Sequence, residues 1–114
     1  ASVPRAYEPE QDIDRPDICI GSDGFHTPQL LVDILERNFK EIGYSVKINT
    51  PFSGSIVPLG FYKKEKKVIS VMIEVNRKLY MNEETFKKSK HFSLVSKSIS
   101  RSIIMSLNEF VNTQ

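Results

Sequence analysis

Apolar and polar positions change their period three times along the chain. Asp17-Ile-Cys-Ile-Gly21 is a short apolar run that predicts a buried strand. Ser22 to His26 then reads as a turn. From there apolar residues recur as Leu30, Leu31, Ile34, Leu35, Phe39 and Ile42, the spacing of one helical face. Thr27 is suited to cap this helix, with Pro28 at its first position, where a missing N–H does no harm. Gly43 supplies the stop. Tyr44, Val46 and Ile48 alternate again and predict a second strand. The three segments form a β-α-β unit, for which a right-handed crossover and parallel strands are expected.

Beyond it, Asn49 to Gly60 is a loop punctuated by Pro51, Gly54 and Pro58, and Tyr62 to Lys67 is a charged turn. Ile69, Val71, Ile73 and Val75 then fall on one side of an extended segment, with Ser70, Met72 and Glu74 on the other. After a polar stretch at 82–92, Val95, Ile99, Ile103, Leu107 and Phe110 mark a final amphipathic helix. The pattern therefore predicts strands at 17–20, 44–48 and 67–75 and helices at about 28–42 and 93–111. Residues 1–16, with Pro4, Pro9 and Pro16 among acidic residues, read as an extended lead-in. The expected fold class is α/β, a three-layer architecture around a mostly parallel sheet.

At 114 residues, 39% hydrophobic and 26% charged, the chain can build one small core. Its net charge of +2 implies neither a nucleic acid nor a membrane as partner. The charge is uneven: residues 63–101 hold nine Lys and two Arg against Glu65, Glu74, Glu83 and Glu84. The single cysteine, Cys19, excludes an internal disulfide and a multi-thiolate zinc site, and reads as a buried, inert thiol. No apolar run approaches the roughly 20 residues of a membrane-spanning helix, and no secretory signal is visible. A cytoplasmic location is expected.

Glu74 carries the most chemistry. A carboxylate near the end of a buried, β-branched strand should have a raised pKa, the device by which enzymes make general bases. A glutamate that ends the strand and meets Arg77 or a lysine fits the same residues. In a parallel sheet the segments Gly21–His26, Asn49–Ser55 and Glu74–Tyr80 should converge beyond the carboxyl ends of the strands. Gly21-Ser-Asp-Gly24 before a helix could receive an anion, although an ordinary tight turn accounts for it. His26 with Asp23 could pair on a metal, or serve as capping groups; His91 reads as a solvated side chain. Lys63, Lys64, Lys66 and Lys67 beside Phe61 and Tyr62 could meet phosphates, and a solvated charged turn explains them without a ligand.

Taken in order, Arg15-Pro-Asp-Ile-Cys-Ile-Gly-Ser-Asp-Gly24, Gly43-Tyr-Ser-Val-Lys-Ile-Asn-Thr-Pro-Phe-Ser-Gly54 and Ile73-Glu-Val-Asn-Arg-Lys-Leu-Tyr-Met-Asn-Glu83 resemble the N-formylglutamate amidohydrolase family. That family is similar to zinc carboxypeptidases in fold and mechanism, and hydrolyses an N-acyl amide on an acidic amino acid. The resemblance implies that residues 17–114 are the C-terminal half of such an α/β domain. It places the family's zinc ligands upstream, with Ser2-Val-Pro-Arg-Ala-Tyr-Glu8 similar to the segment after the last of them. Glu74 would match the carboxylate that activates the attacking water. Arg77 and Tyr80 would lie beside it, and Asn49, Ser53 and Gly54 would face the substrate. The loop at 55–64 departs from many members in lacking an arginine. The resemblance thus implies zinc for the complete domain and none bound by this chain alone, whose two histidines have no ligand-spaced partner.

Two other classes remain: a non-catalytic α/β binding or assembly module, and a small basic nucleic-acid module with weak, salt-dependent, unspecific binding. An unpaired strand edge would make self-association plausible.

Overall fold

The computed structural model describes residues 15–82, 84–85 and 87–114; the expected lead-in and the Ser2–Glu8 segment fall almost wholly outside them. Strand β1 is Ile18–Gly21, helix α1 Gln29–Glu41, β2 Val46–Ile48 and β3 Met72–Val75. A 3-10 turn at Arg77–Leu79 leads into a hairpin of β4, Met81–Asn82, and β5, Lys87–Lys88, and helix α2 spans Phe92–Thr113.

The sheet order is β2-β1-β3. β1 and β2 pair in parallel, Ile18 opposite Val46 and Ile20 opposite Ile48, as the β-α-β reading requires. β3 runs antiparallel to β1, with Ile18 opposite Val75 and Cys19 opposite Glu74. The sheet is therefore mixed, and the expectation of a mostly parallel sheet is corrected. The long path from Asn49 to Val71 lets the chain return in the opposite sense without a crossover helix.

β3 is also shorter than the predicted 67–75. The backbone of 68–70 is taken by other partners: Val68 O faces His26 Nδ1 at 2.8 Å, Ser70 O accepts from Thr27 Oγ1, and Ser70 N–H donates to His26 O at 3.0 Å. Thr27 is thereby drawn away from capping α1; Pro28 occupies the cap position with no side-chain cap.

α1 ends in a Schellman motif. Gly43, at φ +98°, donates to Lys40 O at 3.0 Å, and Tyr44 N–H reaches Phe39 O at 3.1 Å. The hydrophobic contact that accompanies this motif is the edge-on packing of Tyr44 against Phe39.

One face of the sheet makes the core. Ile18 and Ile20 meet Leu31, Leu35 and Phe39 of α1 and Ile99 and Phe110 of α2, with Val46, Ile48, Ile73 and Val75 alongside. Both helices pack on this face, so the described residues form two layers plus a covering loop. α2 touches α1 through small residues: Ser102 and Ser106 are buried, Asn38 Nδ2 donates to Ser106 Oγ at 2.9 Å, and the Ser106 hydroxyl donates to Ser102 O. The apolar spacing pointed instead to Leu107, which is exposed. Arg37 and Glu109 form an ion pair across the same seam. Among the described residues, no helix is long and apolar enough to cross a membrane.

Candidate functional site

Strand alternation sends Cys19, Gly21, Lys47, Met72 and Glu74 to the face opposite the helices. The segment after β2 folds back over that face. Asn49, in the left-handed region at φ 56°, starts the reversal: its N–H donates to Ile20 O, its Oδ1 accepts from Ser22 N–H, and its Nδ2 donates to Ser22 Oγ, each at 2.8 Å. Further along, Cys19 Sγ donates to Phe52 O at 3.2 Å. Gly54, at φ 83°, lays its carbonyl so close to Gly21 that a Cβ at Gly21 would collide with it and with Met72. Ser70 Oγ then holds Ile56 O at 2.7 Å. The loop is a lid fastened to β1 at fixed points.

Beneath it, Glu74, Cys19, Pro51, Phe52, Asn76 and Arg15 line a narrow cleft of about 20 Å³, room for a single water. The Arg15 guanidinium lies 5.4 Å from the Phe52 ring centroid. Glu74 is half-buried. It also borders a larger groove, about 340 Å³, between β3 and α2, lined by Tyr80, Phe92, Val95 and Ile99.

The structure brings together some of the residues the sequence singled out and separates others. Glu74 and the loop that carries Ser53 and Gly54 share one face. Ser53 is exposed, and the Asn49 amide is spent on Ser22. Arg77 and Tyr80 leave β3 at the end where β1 begins, since Asn76 N–H donates to Asp17 O at 2.9 Å. The antiparallel direction of β3 thus places Glu74–Tyr80 away from Gly21–His26, which correct the expected convergence of three segments at the carboxyl ends. Tyr80 turns instead toward α2, its ring edge-on to Phe92 at 5.9 Å, and Arg77 Nε is buried without a hydrogen-bond partner among the described residues. The roles of Cys19 and Gly21 in seating the loop were missed. Only the small residue Gly21 immediately after an apolar run hinted at them.

Gly21–His26 is not an open anion site. Ser22 N–H is taken by Asn49 Oδ1 and Asp23 N–H by Thr27 Oγ1, each at 2.8 Å, and Asp23 Oδ1 accepts from Phe25 N–H at 2.8 Å and from His26 N–H at 3.0 Å. These bonds, first from Phe25 and then from His26, hold the Asp23 carboxyl below its ordinary value. His26 is 1% exposed and both ring nitrogens are engaged, Nδ1 with Val68 O and Nε2 accepting from Lys63 N–H at 2.9 Å. It braces the lysine turn and is no metal partner for Asp23. Among the described residues, no group of three His, Cys, Asp or Glu side chains could hold a metal ion.

The family model for N-formylglutamate amidohydrolase matches residues 1–81. Among solved structures, the N-formylglutamate amidohydrolase of Ralstonia eutropha JMP134 superposes with a TM-score of 0.68 at 26% sequence identity. The match covers 93% of this chain and 38% of that one, so the chain spans well under half the length of this neighbour. No curated protein gives a match. The likeness runs through both sequence and fold, and the chain belongs to the N-formylglutamate amidohydrolase family.

Proposed function

We propose that this chain is the part of an N-formylglutamate amidohydrolase-like, zinc-dependent amide hydrolase that supplies the general base and one wall of the substrate site. The observation that carries the reading is the position of Glu74, in a family member, at the edge of a cleft roofed by the Asn49–Gly54 loop. In this reading the Glu74 carboxylate takes a proton from water as the water oxygen bonds to the amide carbon, and returns it to the departing amine as the C–N bond breaks. Asn49 fixes the loop, and Ser53 and Gly54 present it to an acidic N-acyl amino acid or similar small amide. Arg77 and Tyr80, which follow β3, lie outside the cleft lining, and Tyr80 packs on Phe92 instead, so neither carries a substrate contact in this reading.

The described residues do not fit a catalytic zinc, which needs about three protein ligands. The ligands in this reading lie upstream, in the portion that also completes a three-layer sheet. A reducing cytoplasm suits the lone thiol.

The test is Glu74→Gln in a chain that includes the metal-binding portion. Glutamine keeps the shape and cannot accept the proton. Hydrolysis of N-formylglutamate should fall by about 10²-fold or more, on the scale of a lost general base, while zinc content and melting temperature stay unchanged. Full turnover in the variant would make Glu74 a structural carboxylate and remove the proposal.

A further inference from the structure

The stretch from Ile56 to Ser70 forms a closed loop beyond the Glu74 cleft. Its two ends are joined, Ser70 Oγ donating to Ile56 O at 2.7 Å. Within it the Phe61 and Tyr62 N–H groups share Pro58 O, and those of Lys64 and Glu65 share Phe61 O, so two successive tight turns set its course. Buried His26 anchors its base: Nε2 accepts from Lys63 N–H, and the ring stacks on Tyr62 at 6.0 Å. The loop holds one shape before any partner arrives, so binding has little ordering to do.

Ile56 and Leu59 are 92% and 88% exposed, which places both side chains on a protrusion and not in a groove. Phe61 and Tyr62 are exposed beside them, and Lys63, Lys64, Lys66 and Lys67 follow at once. None of these four lysines forms an ion pair among the described residues. Lys63 lies over the Tyr62 ring at 5.4 Å and Lys66 over the Phe25 ring at 5.6 Å. The carboxylate within the run, Glu65, folds back onto Lys67 N–H at 2.9 Å. Single exposed aliphatic side chains are ordinary, but here two of them cap a rigid loop with a cationic flank. A nucleic acid would use the lysines and the rings and would leave the aliphatic tips in water. The surface of an anionic bilayer takes both: apolar tips enter the boundary between headgroups and acyl chains, and ammonium groups stay among the phosphates.

We propose that the loop 56–67 docks this chain on an anionic phospholipid surface, with Ile56 and Leu59 in the headgroup boundary and the four lysines at the lipid phosphates. The inference is independent of the hydrolase reading. The small net charge of the whole chain does not oppose it, because attraction to the surface fades over a Debye length of about 8 Å at physiological salt and is set by the charges nearest the lipid. Each lysine there strengthens binding by roughly fivefold, so the docking is reversible and weakens as salt rises.

The chain has no tryptophan, so Leu59→Trp places a single indole at the tip. Vesicles of phosphatidylcholine with phosphatidylglycerol should shift its emission to the blue, pure phosphatidylcholine vesicles should bind at least about tenfold more weakly, and inorganic phosphate should leave the emission unchanged. In the otherwise native chain, Lys64→Gln with Lys67→Gln should cut co-sedimentation with the anionic vesicles by about tenfold or more. Lys97→Gln with Arg101→Gln on α2 removes the same charge elsewhere and should change it by less than about twofold. All four positions are exposed, and circular dichroism checks that each variant is folded. An unshifted indole in excess anionic lipid would overturn the proposal, and so would equal losses from the two double substitutions, which would reduce the effect to net charge. A blue shift that appears without lipid and grows with protein concentration would overturn it in favour of a second copy. Tighter binding to single-stranded RNA than to vesicles would overturn it in favour of a nucleic acid.

Discussion

The two faces of the central sheet use the same three strands and hold their partners by different physics. On the helix face, Ile18, Ile20, Ile73 and Val75 meet α1 and α2 through apolar contact that has no direction. On the opposite face, Cys19 and Gly21 meet a loop through one thiol hydrogen bond and one missing Cβ. The first face derives stability from area. The second derives geometry from a few points, with little area beneath it. A protein that must hold a loop beside a carboxylate can thus alter the loop without dismantling the core.

Substitutions on each face test the contrast. Phe39 is fully buried on the helix face, and Phe39→Ala should cost about 3–5 kcal/mol in chemical denaturation, enough to threaten a domain of this size. A cost near zero would mean that α1 is not seated as described. Gly21→Ala adds a methyl group where the Gly54 carbonyl and Met72 already lie. Relief requires the loop to lift, so a cost of about 1–3 kcal/mol is expected, with faster amide exchange confined to 52–56 and β1 left protected. Uniform loss of protection through β1 and α1 would show that the two faces are not separable.

The smallest effect should come from Asp23, at the turn that joins them. Its carboxyl is held low by the Phe25 and His26 N–H groups, so the folded state binds its proton less readily than the unfolded chain, whose ordinary value is 3.8. The stabilisation is therefore present above that value and is lost as pH falls through the lowered folded value. Melting temperature measured against pH should show the native protein above Asp23→Asn near neutrality, with the gap closing toward strong acid. A gap that widens in acid would contradict the assigned bonds.

The helix face was legible in the sequence because periodicity reports burial. Leu31, Leu35 and Phe39 lie where their spacing placed them, and β1, β2 and α1 fall within a residue or two of their predicted limits. The direction of β3 was not legible, since alternation is the same for either sense and only the path of the Asn49–Val71 loop decides it. The β4–β5 hairpin was missed because Lys87 and Lys88 are polar and exposed and leave no apolar trace. The serine seam of α2 was hidden for a related reason: Ser102 and Ser106 are buried because they are small enough for α1 to approach, a property that hydropathy does not record. For the candidate site, Glu74 could be picked out from its place in the strand, while Cys19 could not. Its part depends on Phe52, far along the chain.

The bracing of His26 sorts the imidazoles of this chain for chemical labelling. His91 stands exposed at the start of α2, open to an acylating reagent in the native state. His26 is sealed beneath the turn, with one nitrogen against Val68 O and the other against the Lys63 amide. A reagent that acylates neutral imidazole would thus mark position 91 at once, and mark position 26 only in molecules whose lysine turn has detached, so the second label keeps time for that opening.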